Sequence, residues 1–387
     1  MTKDCRVATT IDRSCPRILD QGAALRIEID GEARRFHAIW LRDNAMDAQT
    51  RSTTNGQRLI TLLDIPADIT IASAEWAGDR LRVCFAPEGK VVDFAAAWLA
   101  AHAYDTPQTR ASGWTGPGIT RWDASATVCS ARYGDICGND AERLRWLTAI
   151  REYGVARLTG VPTTNGVPAE IAAQFGYVRE TNYGRIFDVR VEVNPSNLAY
   201  TNLGLQAHTD NPYRDPAPGL QILACLHNDV EGGDSIVVDG FAIAARLQAE
   251  WPEGFALLTQ TPARFAYTGA QGVRLHAKKP LIELGPDGEL LAVRFNNRSA
   301  APFTDIAYDR MADYYRAYRR MAELVDDPAL AMRFRLAPGS AFVVDNLRVL
   351  HARTAITSQG NRHLQGCYAD RDGLLSTLAA LEESARP

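Results

Sequence analysis

Several features that would assign this sequence to a particular class are missing from it. The chain has 387 residues and a net charge of -4 at pH 7, without the basic excess of a nucleic-acid-binding protein. It has no apolar run of roughly 20 residues, the length that spans a bilayer. Its first twenty residues also lack the apolar stretch of a signal peptide. We therefore expect a cytoplasmic protein that binds neither nucleic acid nor membrane.

The cysteines do not suggest a disulfide framework. There are seven of them, an odd number at wide spacing, and no two form a Cys-x-x-Cys pair. Disulfide-rich domains and thiolate zinc sites usually show even numbers or close pairs of cysteine. The sequence therefore predicts free, mostly buried thiols and no thiolate metal site.

The sequence does contain many short strand patterns. Residues 24–94 hold five of them, separated by turn residues such as Asp30-Gly31 and Gly78-Asp79. We interpret residues 1–105 as a small N-terminal β domain that ends in a helix near residues 94–104. The segment 106–120 is rich in Pro, Gly, Ser and Thr, which predicts a linker.

Residues 121–387 predict a second domain that is mainly β with added helices. Helical patterns occur near residues 140–153, 305–326 and 373–384, and strand patterns fill much of the rest. The strands do not alternate regularly with helices, as they would in a parallel α/β fold. This order favours a barrel or jelly roll decorated with helices.

The pattern that carries chemistry is His208-Thr209-Asp210, together with His351 located 141 residues after Asp210. Two His and one carboxylate on one face of Fe(II) leave positions open for O2 and for a bidentate co-substrate. Because residues i and i+2 of a strand point the same way, a His-x-Asp at a strand end can direct both ligands to one point. The second His would come from a strand that folds back beside the first.

A His-x-Asp triplet alone is weakly specific, because His227-Asn228-Asp229 is a second one, which we interpret as structural or surface residues. The turn residues Asn211-Pro212 favour the triplet at His208, since they suit a strand end at a cavity mouth. Arg362 follows His351 by eleven residues. From an adjacent strand it could bind the distal carboxylate of 2-oxoglutarate in a bidentate pair. The alternative for Arg362 is a surface salt bridge.

Together these motifs resemble the γ-butyrobetaine dioxygenase group of the taurine-dioxygenase-like superfamily over nearly the whole chain. The matching segments are WLRDN at 40–44, AYT at 199–201, HTD at 208–210, GGDS at 232–235, VDGF at 238–241, FNN at 295–297, DN at 345–346, LHAR at 350–353 and RHLQGCYAD at 362–370. The resemblance implies a double-stranded β-helix core and a homodimeric Fe(II)- and 2-oxoglutarate-dependent dioxygenase. It implies Fe(II) on His208, Asp210 and His351, and 2-oxoglutarate on Arg362 and Ser235. The Gly-Gly-Asp-Ser segment that contains Ser235 also fits a simple tight turn.

The chain departs from that family in its N-terminal domain. The family usually binds zinc there through three Cys and one His, whereas the corresponding positions here are Ala45, Asp47, Thr50 and Lys90. No thiolate remains, and a lysine is not a metal ligand at neutral pH. We therefore expect no structural zinc.

The resemblance also implies a site for a quaternary ammonium group. Such a cation cannot donate a hydrogen bond and is recognised by the faces of aromatic rings. The family's cage positions correspond to Tyr183, Phe187, Tyr200 and Tyr368, and all four are aromatic here. Taken singly, each has the alternative of an ordinary core aromatic.

The opposite end of the predicted substrate is an anion, for which we expect Asn211, Asn297, Arg298 and Asn197. An arginine beside Asn297, with the small Asn211, suggests a larger and more highly charged anion than a carboxylate. The pattern resembles the dioxygenases of 2-(trimethylammonio)ethylphosphonate within that group. It predicts hydroxylation at the carbon next to phosphorus to a 1-hydroxy product, with release of succinate and CO2.

Two other functions remain open at this point. One keeps the class but changes the substrate to γ-butyrobetaine or another quaternary amine, in which case Arg298 pairs with a surface carboxylate such as Asp305. The other is a catalytically silent protein that keeps the aromatic cage. The His208, Asp210, His351 and Arg362 set speaks against the second.

Overall fold

The structure is a computed structural model that describes residues 11–29, 31–105, 118–190, 202–269 and 271–385, with side chains from Cys15 onwards. The chain divides into two compact units, Met1–Thr109 and Arg110–Pro387. The predicted linker at 106–120 lies mostly outside the described residues, so its boundaries stay a prediction. No helix in the described ranges is long and apolar enough to cross a membrane.

The first unit contains two three-stranded antiparallel sheets. Alternation on one strand shows why they form, because Leu81, Val83 and Phe85 are buried while Arg80 and Arg82 are exposed. The buried faces share one core that includes Leu25. The elements are β1 (Ile11–Leu19), β2 (Ala24–Ile29), β3 (Glu32–His37), α1 (Ala38–Asp43), β4 (Thr70–Ala77), β5 (Arg80–Ala86), β6 (Lys90–Ala95) and α2 (Ala96–Ala101).

The second unit contains two larger sheets, two hairpins and seven helices in its described part. The strands are β7 (Ser130–Arg132), β8 (Val155–Thr159), β9 (Val178–Arg179), β10 (Phe187–Val189), β11 (Leu205–His208), β12 (Leu220–Asn228), β13 (Ser235–Asp239), β14 (Pro262–Tyr267), β15 (Leu275–Pro280), β16 (Ile282–Leu284), β17 (Leu290–Val293), β18 (Ala331–Phe334), β19 (Ser340–Asp345), β20 (Val349–Arg353) and β21 (Arg362–Ala369). The helices are α3 (Tyr133–Gly138), α4 (Asp140–Tyr153), α5 (Val167–Ala172), α6 (Gly240–Glu250), α7 (Pro252–Gln260), α8 (Met311–Val325) and α9 (Arg371–Ser384).

The strand order identifies the core as a double-stranded β-helix. The larger sheet has the order β10-β21-β12-β19-β8-β7, with β9 also paired to β21, and the smaller has the order β11-β20-β13-β18. Along the chain, β11, β12 and β13 alternate between the two sheets, and so do β19, β20 and β21. This winding is that of a jelly roll. The predicted fold class is therefore confirmed.

Strand β12 shows how one segment serves two packed layers. Leu220, Ile222 and Ala224 join the core beneath helices α4, α5 and α9, whereas Leu223 and Cys225 face the other sheet. Because both faces of the strand are buried, the segment reads as a nearly continuous apolar run rather than an alternating one. The layer between the sheets includes Val237, Phe342, Val349 and Leu364.

Some local predictions need correction. The amphipathic helix expected at 305–326 begins only at Met311, after a short 3-10 turn, Tyr308–Arg310. The segment KKPLIEL, residues 278–284, does not form one continuous strand: it divides at Leu281 because its first half pairs with β14 and its second half pairs with β17.

The six described cysteines are free, but only Cys225 and Cys367 are buried. The prediction of mostly buried thiols is therefore wrong for the described part of the chain. Cys15 is exposed because it lies on β1, an edge strand, and Cys137 is exposed near the end of the short helix α3.

Candidate active site

The structure brings His208, Asp210 and His351 together. His208 ends β11 and lies directly opposite His351 of β20 in the strand register, with the two ring centroids 4.5 Å apart. Asp210 Oδ1 is 3.3 Å from His208 Nε2, and its Oδ2 is 3.8 Å from His351 Nε2. The candidate ligand atoms all lie within 4.8 Å of one another, and no other such group of His, Cys, Asp or Glu occurs in the described ranges.

Strand alternation alone does not direct Asp210 toward the histidines, because β11 already ends at His208. Asn346, in the turn between β19 and β20, holds the backbone of Asp210 instead. Its Oδ1 accepts a hydrogen bond from the Asp210 amide at 2.6 Å, and its Nδ2 donates to the Asp210 carbonyl at 2.9 Å. The next residue, Asn211, has a left-handed backbone with φ of 53°. A turn and a side-chain clamp therefore complete the triad.

The protonation states of the triad suit a divalent metal. His208 Nδ1 lies 2.8 Å from the Gln206 carbonyl, so Nδ1 carries the proton and Nε2 keeps its lone pair on the Asp210 side. Burial lowers the pKa of His351 to about 3, which keeps that ring neutral at pH 7. Burial acts to raise the pKa of Asp210, but its surroundings, among them the positive charge of Arg298, hold it well below its usual value. Neutral imidazoles and an ionised carboxylate are the forms that bind Fe(II).

Arg362 and Ser235 both line the same cavity. Arg362, the first residue of β21, is buried, and its Nε has no hydrogen-bond partner among the described residues. Burial lowers the pKa of Arg362 to about 10, so it still carries its charge at pH 7. A Cβ at Gly233 would lie 3.2 Å from Arg362 Nε, so the glycine leaves room for the guanidinium. A buried arginine without a carboxylate partner fits the distal carboxylate of 2-oxoglutarate.

The cavity measures about 500 Å³ and contains residues of both sheets. This volume lies within the usual range for small-molecule sites. Three predicted cage residues line it, with the ring centroids of Tyr183 and Phe187 6.4 Å apart and those of Phe187 and Tyr368 5.0 Å apart. Tyr200, the fourth predicted cage residue, lies outside the described residues.

Two further aromatic residues, to which the sequence analysis gave no role, extend this wall. Tyr213 and Tyr267 line the cavity and stack with ring centroids 5.0 Å apart. Tyr183 meets Tyr267 edge-on at 5.9 Å. Tyr213 follows the HTD motif closely, which was the available signal, whereas no sequence pattern pointed to Tyr267.

Asn211 offers a buried hydrogen-bond donor at the predicted anion end. The Tyr213 hydroxyl donates to Asn211 Oδ1 at 2.6 Å, and the Tyr183 and Tyr213 hydroxyl oxygens are 3.0 Å apart. The hydrogen bond from Tyr213 fixes the orientation of the Asn211 amide. Asn211 Nδ2 is buried and has no partner among the described residues. Arg298 also lines the cavity, while Asn197 lies outside the described residues.

Asn297 does not join this group. Its side chain is exposed and absent from the cavity lining, whereas the neighbouring Asn296 is buried and lines the cavity. Strand β17 ends at Val293, so the segment turns: Asn296 Oδ1 accepts from the backbone amides of Arg298 and Ser299, and its Nδ2 donates to the Thr209 carbonyl at 2.9 Å. The prediction that Asn297 faces the cavity is therefore wrong, because Asn296 lines it instead.

The ion pairs also bear on two alternatives from the sequence. Asp305, named there as an example of a carboxylate partner for Arg298, pairs with Arg264 and Lys278, each at 2.9 Å. In the second His-x-Asp triplet, His227 Nε2 contacts Asp229 Oδ2 at 3.0 Å, and both side chains are more than half exposed. That triplet is a surface pair.

Comparison with known proteins gives a consistent picture. Residues 120–368 match the family described as "Taurine catabolism dioxygenase TauD, TfdA family". The chain is 37% identical over 354 residues to gamma-butyrobetaine dioxygenase of Pseudomonas sp. (strain AK-1), covering 91% of this chain and 92% of that protein. It is 29% identical over 364 residues to the Homo sapiens gamma-butyrobetaine dioxygenase, covering 92% and 93%. It is 28% identical over 400 residues to the trimethyllysine dioxygenase of Meyerozyma guilliermondii, covering 98% of both.

Proposed function

This chain belongs to the taurine catabolism dioxygenase TauD, TfdA family, and on that premise we propose that it hydroxylates a small trimethylammonium compound. Enzymes of this family are Fe(II)- and 2-oxoglutarate-dependent oxygenases, and the chain carries a His-Asp-His metal site. The observation that carries the proposal is one cavity that joins this site to a wall of tyrosine and phenylalanine rings. Ring faces of this kind attract a cation that cannot donate hydrogen bonds.

Different residues bind the co-substrate and the substrate in this proposal. Iron and 2-oxoglutarate, when bound, supply the oxidising chemistry, in which O2 is consumed, succinate and CO2 are released and a C–H bond is hydroxylated. In our proposal His208, Asp210 and His351 hold the iron, and Arg362 with Ser235 holds 2-oxoglutarate. The residues around the substrate only position it, and no acid–base residue is required. Positioning matters because a displacement of about 1 Å can cost roughly 100-fold in rate.

For the substrate, we propose γ-butyrobetaine, the alternative to the phosphonate. The relatives act, by their names, on gamma-butyrobetaine and trimethyllysine, and both kinds of relative cover most of this chain. These names favour the trimethylammonium carboxylate and do not support the phosphonate that the sequence analysis preferred. The unpartnered Nδ2 of Asn211 is a neutral donor that suits a carboxylate oxygen. The product would be L-carnitine.

The phosphonate remains a second candidate because of one observation. Arg298 lines the same cavity as Asn211, and both are residues that we assign to the substrate anion. A guanidinium binds phosphonate oxygens well, since it offers a planar set of donors and a full charge. The charge of Arg298 would stabilise a doubly charged phosphonate more than a singly charged carboxylate.

The test is turnover with γ-butyrobetaine and, separately, with 2-(trimethylammonio)ethylphosphonate. Succinate and the hydroxylated product would be measured with the Fe(II)-loaded wild type and with Arg298→Met. We expect γ-butyrobetaine to be the better substrate and to lose little activity in the variant. Preference for the phosphonate, with a large loss in Arg298→Met, would establish the second candidate instead. If neither compound yields a hydroxylated product while iron and 2-oxoglutarate still bind, the trimethylammonium proposal fails.

We also propose that the protein is a homodimer, as the family resemblance implies, and that it is cytoplasmic, as its sequence predicts. Light scattering on the purified chain would test the first statement and subcellular fractionation the second. A monomer, or a protein found only in a membrane or secreted fraction, would contradict them.

A further inference from the structure

The two carboxylate oxygens of Asp210 have different surroundings. Oδ1 is the oxygen closest to His208 Nε2, at 3.3 Å. Oδ2 accepts two hydrogen bonds, from Gln221 Nε2 at 2.6 Å and from the Tyr368 hydroxyl at 2.8 Å. Oδ2, which also lies 3.8 Å from His351 Nε2, is therefore held by two neutral donors, whereas Oδ1 faces His208.

We propose that Gln221 and Tyr368 are positioning residues that hold Oδ2 so that Asp210 presents only Oδ1 to the metal. This inference rests on the proposed role of Asp210 as a metal ligand. If Asp210 bound through both oxygens, it would occupy one of the positions that 2-oxoglutarate and O2 need. Two hydrogen bonds to Oδ2 oppose that rotation, because it would have to break or bend both of them.

The fold places the two donors side by side. Gln221 on β12 and Tyr368 on β21 are direct partners in the register of these antiparallel strands, so their side chains leave the larger sheet on the same face. Both strands are interior to that sheet, and both residues are less than 5% exposed. Donors on interior strands hold a ligand more rigidly than donors on loops.

The surroundings of the Gln221 side chain indicate that it does more than fill space in the core. It is a polar residue within a buried apolar strand, a position where an amide is costly unless it is hydrogen-bonded. Its Nε2 bonds to Asp210, while its Oε1 has no partner among the described residues. The amide therefore serves mainly as a donor to the carboxylate. A leucine of similar size would fill this space without the polar group.

Tyr368 has two functions in this arrangement. Its ring packs against Phe187 with centroids 5.0 Å apart, which places it in the aromatic wall, and its hydroxyl bonds to Asp210. Tyr368→Phe separates the two functions because it keeps the ring and removes the donor. Tyr314→Phe is a matched control: Tyr314 is fully buried in a different cluster, and its hydroxyl has no partner among the described residues.

The experiment uses the full chain and measures binding rather than turnover. Mn(II) affinity would be determined by calorimetry for wild type, Gln221→Leu, Tyr368→Phe and Tyr314→Phe. The anaerobic charge-transfer band of the Fe(II)–2-oxoglutarate complex would be recorded for each. We expect Gln221→Leu and Tyr368→Phe each to weaken metal binding by about 10- to 100-fold, as loss of partners to a metal ligand typically does. We also expect a shifted band in both, and neither change in Tyr314→Phe.

Asp210→Ala separates failure of this inference from failure of the ligand assignment. If Asp210→Ala binds Mn(II) like wild type, the proposed ligand set is wrong. If Asp210→Ala loses the metal while Gln221→Leu and Tyr368→Phe match wild type in affinity and band position, only the positioning role is overturned. Circular dichroism would confirm folding, and should Gln221→Leu fail to fold, Tyr368→Phe decides alone.

Discussion

Each unit of the molecule contains a cluster of polar side chains, and the two clusters differ in how completely they are paired. In the N-terminal unit, Arg42 donates to both oxygens of Glu88 at 2.7 and 3.0 Å, and Lys90 donates to Asp47 at 2.9 Å. Thr50 joins the two pairs, because its hydroxyl donates to Asp47 at 2.7 Å and accepts from Arg42 at 3.3 Å.

In the second unit, Arg110–Pro387, the polar cluster at the candidate active site is not completely paired by hydrogen bonds. His351 Nδ1, Arg362 Nε and Asn211 Nδ2 are buried without hydrogen-bond partners in the part of the chain that the structure describes. Buried polar groups in folded proteins are nearly always paired, so three unpaired groups in one site need an explanation. In our proposal the first cluster stabilises the protein by itself, whereas the second also binds metal, co-substrate and substrate.

The N-terminal cluster lies at the positions where the family resemblance implies zinc ligands. Asp47, Thr50 and Lys90 correspond to three of the four family zinc positions, and hydrogen bonds now connect them. The fourth, Ala45, is fully buried in the apolar core. The absence of a structural zinc stays a prediction.

His351→Ala is expected to produce the largest change. It removes a proposed metal ligand, so metal affinity should fall by more than about 100-fold, beyond the usual effect of losing a partner to a ligand. Succinate release should fall with it, as measured in a coupled assay. His227→Ala is the matched control from the exposed His-x-Asp pair, and we expect its metal affinity to equal that of wild type. Equal losses in both variants would remove the distinction between the two triplets.

Arg362→Met should raise the KM for 2-oxoglutarate by about 10- to 100-fold, the effect of losing a charge-assisted bidentate contact. Initial rates at varied 2-oxoglutarate would measure it. Because the guanidinium has no carboxylate partner in the described structure, we expect little loss of stability. Arg246→Met, which disrupts an exposed pair with Glu250, is the control and should leave this KM unchanged. An unchanged KM in Arg362→Met would contradict the assignment.

The opposite result is expected at Arg42, in the fully paired cluster. Arg42→Met leaves Glu88 without its partner, and the Arg42 side chain is only 6% exposed. Losing one member of such a pair should lower the free energy of unfolding by about 2 kcal/mol, less than for a fully buried pair because Glu88 is partly exposed. Urea unfolding would measure this change. Metal affinity and the KM for 2-oxoglutarate should stay at wild-type values, and a change in either would show that the N-terminal cluster is not purely structural.

The smallest effect is expected at Lys90 and should depend on pH. Burial acts to raise the pKa of Asp47, but hydrogen bonds from Lys90 and Thr50 bring it below its usual value. A carboxyl with a lowered folded pKa stabilises the protein above its unfolded pKa, about 4, and this contribution is lost as the pH falls through the folded pKa. Lys90→Met should therefore cost about 1 kcal/mol at pH 7 and less below about pH 4.

Urea unfolding at pH 7 and pH 3 would measure that dependence. Arg26→Met is the control in the same unit, because its pair with Glu28 is more exposed. A cost in Lys90→Met that is equal at both pH values would exclude the Asp47 contact as its source.

Sequence reasoning identified the candidate metal ligands because few residue types bind Fe(II) and because strand pairing brings distant histidines together. Strands β11 and β20 do place His208 opposite His351. The prediction for Asn297 failed because a change of one residue reverses the face of a strand, and because a turn replaces the strand there.

The residues that support the site left a weaker signal. Gln221 and Asn346 contact Asp210 across 11 and 136 positions, and no local pattern connects such pairs. The available hint for Gln221 was a single amide within the apolar run of β12. Asn346 belonged to a matching family segment, but that resemblance carried no role for it.

The most direct test of the account is an anaerobic titration of the wild-type chain with Fe(II) in the presence of 2-oxoglutarate, followed through the charge-transfer band. The account predicts a band that saturates at one iron per chain and does not form in His351→Ala. A band that is absent, that saturates at a different stoichiometry, or that persists without His351 would contradict the claim that the unpaired cluster is the iron and 2-oxoglutarate site.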